Sequence, residues 1–163
     1  HYASTAIMEI QRSYELRIQK YRGLCRDYPD NATYLDNLIH ALRSYIESGL
    51  IEESVLQIQR ERYHQALEQR IRLSGAEADP QLYYTLIDNL LELGDTKGAE
   101  HWLNLAFAKW PSSETPWLLS IKLRYYQNDG PGIRETIQRL KKARLFLSTQ
   151  AKEEIAFWSR QMA

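Results

Sequence analysis

Histidine and cysteine, the residue types that most often carry chemistry in proteins, are few and scattered in this chain. No two of its four histidines have the HExxH spacing that places two zinc ligands on one face of a helix. Cys25 is the single cysteine, so it cannot form a disulfide within the chain, and no CxxC pair exists to hold a metal. The sequence therefore predicts no metal site and no bound cofactor.

Neighbouring carboxylates could supply a general acid and a general base, but their placement here argues against that use. Glu52-Glu53 and Glu153-Glu154 are consecutive in the chain and fall in expected first turns of helices, where the helix dipole favours negative charge. Catalytic carboxylates instead converge across a cleft. Gly130-Pro131-Gly132 lacks the Lys-Ser/Thr that follows a phosphate-binding loop, and no GxSxG motif occurs. We therefore expect a protein that is not an enzyme.

The charge balance excludes further classes of function. The chain has 21 basic and 21 acidic residues, whereas nucleic-acid-binding domains normally carry a strong basic excess, so no nucleic-acid partner is expected. No apolar stretch approaches the roughly 20 residues of a membrane span, so we expect no membrane insertion. The densest basic run is interpreted as a solvated helix face, with contact to an acidic partner or to anionic lipid headgroups as the alternative. It consists of Arg134, Arg139, Lys141, Lys142 and Arg144.

Composition and patterning predict one all-α domain. The chain has 163 residues, of which 44% are hydrophobic and 26% charged, as in ordinary folded domains. The sequence contains no run of alternating apolar and polar residues bounded by turn residues, so no strand is predicted. The clearest unit spans residues 80–113, where two helical apolar faces are separated by Gly94-Asp95 and closed by Pro111. The first face contains Tyr83, Leu86, Ile87 and Leu90, and the second contains Ala99, Leu103 and Ala106.

This unit resembles the tetratricopeptide repeat (TPR) family. In that family, positions four, seven, eight and eleven of the first helix hold an aromatic, a leucine, a small or apolar residue, and a tyrosine or leucine. A Gly-Asp turn, a second helix with small residues, and a closing proline follow. A hairpin this short cannot bury both faces alone, so stacked neighbours are expected. The resemblance implies a right-handed α-solenoid of antiparallel helix pairs.

The rest of the chain is divided by comparison with this unit. In the divergent repeat, Ser120 and Arg124 occupy positions that are apolar in the best-matching repeat. Ser148 is a good N-cap for the last helix. The run from Ile51 to Ser74 is expected to form a long helix of roughly 36 Å, whose polar middle at 57–65 projects from the stack or is broken. The expected elements are an N-terminal helix at 4–27, a repeat at 31–74 with that long second helix, the best-matching repeat at 80–113, the divergent repeat at 114–146, and a capping helix at 148–162 with Ala151, Ile155, Trp158 and Met162 on one face.

The resemblance also implies a binding surface. In TPR-like stacks the first helices line a concave face, and side chains at positions two, five, nine, twelve and thirteen usually point into it. Tyr84 and Asp88 occupy positions five and nine of the best repeat, so the carboxylate clamp of some family members is not expected. The predicted groove residues are Asp36, His40, Arg43, Tyr84, Asp88, Glu92, Lys122, Tyr125 and Tyr126.

Two functions follow from the resemblance. The first is a scaffold that binds a peptide or protein partner on its concave face, as part of a bacterial cell-envelope assembly or secretion machine. The alternative is a structural module that self-associates as a homo-oligomer or spaces the domains of a larger protein. Because the chain begins with His1 rather than Met, we expect a soluble piece excised from something longer. The resemblance implies that the parent is a larger membrane-associated protein. Cytoplasm and periplasm both stay open.

Overall fold

The structure, a computed structural model, describes residues 2–161, with the side chains of residues 2 and 3 left undescribed. Eight α-helices and one short 3₁₀ turn account for most of this range, which contains no strand, so the predicted all-α class is confirmed. His1 and Met162 lie outside the described residues. The helices are α1 (Tyr2–Asp27), α2 (Ala32–Glu47), α3 (Glu53–Ser74), α4 (Pro80–Glu92), α5 (Thr96–Lys109), α6 (Thr115–Tyr126), α7 (Gly130–Lys142) and α8 (Thr149–Gln161), and the 3₁₀ turn is Gly75–Glu77.

The helices divide into two compact units, residues 1–78 and residues 79–163. In the first unit, α2 packs against both α1 and α3. Asn31 begins α2 as its N-cap, because its side chain accepts a hydrogen bond from the backbone N–H of Tyr34 at 3.0 Å. The buried side chains include Ile18 from α1, Leu42 and Tyr45 from α2, and Leu67 from α3.

The polar middle of α3 is neither broken nor wholly exposed. The helix runs without interruption from Glu53 to Ser74, and Gln59 and Tyr63 are only 4% and 5% exposed. Arg62 donates to Gln59 Oε1 at 3.4 Å, and Arg43 Nε donates to the Tyr63 hydroxyl at 2.9 Å. The expectation of a break or projection was therefore wrong. These polar groups are buried with hydrogen-bond partners that the sequence pattern did not identify.

In the second unit, α6 contacts α4, α5, α7 and α8. The predicted apolar positions of α4 and α5 are buried, including Leu86, Ile87 and Ala99, each at 0% exposure. A second buried cluster joins α6, α7 and α8 through Ile121, Ile133, Ile137, Leu140 and Trp158. The packing of this unit is thus organised around α6.

The two turns within the helix pairs of the second unit share one backbone geometry. Gly94 and Asn128 both have positive φ, 79° and 55°. The residue after each is an N-cap aspartate: Asp95 accepts from the N–H of Gly98, and Asp129 from that of Gly132, both at 2.9 Å. Asn is among the few non-glycine residues that adopt this backbone region readily, which explains its place at position 128.

The last helix begins as the sequence predicts. Ser148 Oγ accepts a hydrogen bond from the backbone N–H of Ala151 at 3.0 Å. Ala151 and Trp158 are buried, and Ile155 packs against the cluster around α6. Within residues 2–161 no helix is both long and apolar enough to cross a bilayer.

Candidate binding surface

Six of the nine predicted groove residues lie in the second unit, three on α4 and three on α6. Four of them form one polar network. Lys122 Nζ donates a hydrogen bond to Asp88 Oδ1 and lies 4.0 Å from Glu92 Oε1. The Tyr126 hydroxyl donates to Glu92 Oε1 at 2.8 Å. Lys122 Nζ also lies 5.9 Å from the centroid of the Tyr126 ring, within cation–π range.

The network pairs residues of α4 and α6 at one constant interval in the sequence. Asp88 and Lys122 are 34 residues apart, and so are Glu92 and Tyr126. These two contacts, one helical turn apart, hold α4 and α6 side by side. This interval equals the length of the repeat unit that the sequence indicates between Pro80 and Ser113.

This surface combines acidic and aromatic groups. Two carboxylates, Asp88 and Glu92, surround the single ammonium group of Lys122, which leaves the network with one net negative charge. The side chains of Asp88 and Glu92 are 49% and 38% exposed, against 21% for Lys122. Both carboxylate groups are therefore partly accessible to a ligand, although one oxygen of each already accepts a hydrogen bond, and the lysine is largely occupied by its acidic neighbours.

The two other tyrosines of the surface each pack against a tryptophan. The Tyr84 ring meets Trp110 edge to face at 5.9 Å, and its hydroxyl donates to Ser113 Oγ at 3.2 Å. Tyr125 lies 4.8 Å from Trp158, centroid to centroid. Tyr125 is nevertheless 43% exposed, so part of this side chain is accessible to a ligand. Sequence reasoning treated Trp158 only as a core residue of the capping helix, although it follows Tyr125 in the chain by nearly one repeat length.

The remaining three predicted residues lie on α2 in the first unit, and two of them are directed to α3. Asp36 Oδ1 accepts a hydrogen bond from Arg70 Nε at 2.7 Å, and Arg43 donates to Tyr63. His40 is exposed. Asp36 and Arg43 therefore form contacts between α2 and α3.

The chemistry-bearing residues form no reactive cluster in the part of the chain that the structure describes. No group of three or more His, Cys, Asp or Glu residues there is arranged to hold a metal ion. Cys25 is partly buried, and this burial raises the pKa of its thiol above the ordinary value. A raised pKa disfavours the thiolate, the form in which cysteine acts as a nucleophile.

A cleft in the second unit lies among α5, α6 and α7. Its volume is about 300 Å³, at the lower limit for ligand pockets. Ser120 and Arg124 line it on α6, at the positions that the buried Leu86 and Leu90 hold on α4. Two polar residues of α6 thus line this cleft, whereas the residues 34 positions earlier on α4 are buried leucines.

Comparison of this chain with models of protein families, with curated proteins and with solved structures gave no match.

Proposed function

We propose that the chain is a TPR-like interaction scaffold, a right-handed solenoid of antiparallel helix pairs that binds a protein segment. The segment lies across the surface formed by α4 and α6. The observation that carries this proposal is the pairing of equal positions, Asp88 with Lys122 and Glu92 with Tyr126, at an interval of 34 residues. A surface built by repetition presents similar side chains at regular intervals, which suits an extended ligand.

The chemistry of the surface indicates which ligand residues it prefers. Asp88 and Glu92 exceed Lys122 by one charge, and Tyr125 offers a partly exposed ring supported by Trp158. A segment with a basic residue beside an apolar or aromatic one would satisfy both features. Rigid aromatic side chains commonly carry most of the affinity in such interfaces.

The test is affinity for peptides selected on the chain itself. A displayed library of random peptides is panned against the immobilised protein, and the dissociation constants of enriched peptides are measured by calorimetry. Tyr125→Ala should weaken binding at least about tenfold, which is about 1.4 kcal/mol. The helical circular dichroism spectrum should not change, because Tyr125 is partly exposed.

The matched control is Tyr28→Ala, which removes another exposed tyrosine from the first unit. This variant should bind the enriched peptides like the parent chain. Peptides that bind Tyr125→Ala with unchanged affinity would contradict the proposed surface. Loss of binding in Tyr28→Ala instead would place the site in the first unit.

The alternative, self-association, is favoured by one observation in the first unit. Helix α1 exposes several large apolar side chains, with Met8 67% and Leu16 54% exposed. If this face mediates self-association, sedimentation velocity should show a concentration-dependent increase in mass. Met8→Glu should then abolish the increase, while Tyr125→Ala should leave it intact.

A further inference from the structure

The segment between α7 and α8 contains a fully solvent-exposed phenylalanine between two packed leucines. Leu145 and Leu147 pack against the cluster of α6, α7 and α8. Phe146, between them, has a relative exposure of 104%. The chain alternates inward, outward and inward, so the two leucines hold Phe146 away from the helices. An aromatic ring with this exposure is shielded by no neighbouring group and must protrude.

Further contacts fix the ends of this segment. Arg144 begins it with a φ of 54°, a left-handed conformation that turns the chain after α7. Ser148 ends it through two hydrogen bonds to Glu114, one from its N–H to Oε2 at 2.9 Å and one from its Oγ to Oε1 at 2.8 Å. The protruding ring is therefore presented on an ordered support.

Three cations precede Phe146 within five residues of the chain. Lys141, Lys142 and Arg144 are all exposed. Within residues 2–161 none of these three forms an ion pair. Residues 130–147 contain five cations and one carboxylate, a net charge of +4 in a chain whose total is zero. We call Lys141, Lys142, Arg144 and Phe146 the basic tip.

We propose that the basic tip binds the surface of an anionic lipid bilayer. The lysines and the arginine meet the headgroup phosphates, and the Phe146 ring enters the boundary between headgroups and acyl chains. A protein partner would need a pocket matched to a protruding ring. A bilayer interface accepts such a ring anywhere on its area, and its negative charge complements the cations. This contact is peripheral, and no helix enters the membrane.

Co-sedimentation of the full chain with vesicles tests the proposal. One set of vesicles contains phosphatidylcholine alone, and the other contains phosphatidylcholine mixed with phosphatidylglycerol. The chain should bind the second set and not the first. Binding should fall steeply as salt is raised to about 1 M, where the Debye length is about 3 Å.

Two variants separate the charge from the ring. Lys141→Glu with Lys142→Glu should lower the affinity for anionic vesicles roughly thirtyfold or more, because each cation near such a surface contributes roughly a factor of five. Phe146→Ser should lower it roughly tenfold, the loss expected when a large apolar side chain no longer leaves water. The matched control, Arg12→Glu with Arg17→Glu, makes the same charge change at exposed positions of α1 and should have no such effect.

Several outcomes would overturn the proposal. Equal binding to both kinds of vesicle, or none to either, would exclude recognition of an anionic surface. Equal losses in the Arg12/Arg17 and Lys141/Lys142 variants would reduce the effect to net charge. Binding to soluble polyglutamate that matches vesicle binding, with no effect of Phe146→Ser, would assign the cations to an acidic protein partner. None of these measurements depends on the α4–α6 surface.

Discussion

Gly94 turns the chain between α4 and α5 with a φ of 79°, a backbone region that costs an L-residue free energy. Beyond the adjoining residues, no atom lies within 4 Å of where a Cβ would stand, so Gly94→Ala introduces conformational strain without a clash. We expect it to lower the free energy of unfolding by about 1 kcal/mol. Chemical denaturation followed by circular dichroism measures the change.

Gly23 in α1 provides the matched control for this substitution. Its backbone is helical, and an added Cβ would meet only Arg26 Nη2 at 3.8 Å, an ordinary contact. Gly23→Ala should therefore stabilise the chain by about 0.5–1 kcal/mol through helix propensity. Changes of the same sign in both variants would contradict the assigned role of Gly94.

Tyr45 makes the stability of the first unit depend on pH in the alkaline range. Burial, and then the hydrogen bond that its hydroxyl donates to Glu15 at 3.0 Å, raise the pKa of Tyr45 to about 12. An unfolded tyrosine has a pKa of about 10. Because the pKa is higher in the folded state, the protonated Tyr45 phenol stabilises the fold. This contribution to the free energy of unfolding is fully present below about pH 10 and is lost as the pH rises towards 12.

The corresponding experiment compares the parent chain with Tyr45→Phe across pH 8 to 12 (the range set by about 10 unfolded and about 12 folded). Burial also raises the pKa of Tyr63, so both proteins should lose stability at alkaline pH. The loss should be smaller in Tyr45→Phe, because one of the two phenols with a raised pKa is gone. Parallel curves for the two proteins would show that Tyr45 does not titrate with unfolding.

Among the elements, α6 differs from α4 at the positions that line the cleft of about 300 Å³. Ser120→Leu should fill part of this space and raise the free energy of unfolding by about 1 kcal/mol, since apolar surface leaves water. The reverse change at the equivalent position of α4 is Leu86→Ser. It should lower the free energy of unfolding by about 2–5 kcal/mol, because Leu86 is fully buried. Destabilisation by Ser120→Leu would mean that the cleft cannot accept the larger side chain.

The elements also show how far the sequence could predict this structure. The bounds of α4 and α5 follow from apolar residues at helical spacing and from the Gly94-Asp95 break, because these signals are local. The pairs Asp88–Lys122 and Arg43–Tyr63 join different helices, and no periodicity within one helix indicates them. The polar middle of α3 was misinterpreted for the same reason, since Tyr63 is buried and accepts its hydrogen bond from Arg43 of α2.

The whole chain has a net charge of zero, but two parts of the second unit carry opposite net charges. Residues 79–129 carry four cations and seven carboxylates, a net charge of −3, and residues 130–163 carry seven cations and three carboxylates, a net charge of +4. The acidic part contains the α4–α6 surface, and the basic part contains the basic tip. The two proposed contacts therefore call for ligands of opposite charge, and raising the salt concentration should weaken both.

The division into two units predicts that the second unit folds alone. The cluster of Ile121, Ile133, Ile137, Leu140 and Trp158, the capped turns and the α4–α6 network all lie within residues 79–163. A fragment of these residues should show a helical spectrum and a cooperative thermal transition. Removing α4 as well, in a fragment of residues 96–163, takes away the helix that packs against both α5 and α6 and should abolish the cooperativity. A disordered 79–163 fragment would show that its core needs residues 1–78, and an equally cooperative 96–163 fragment would show that α4 is dispensable for folding.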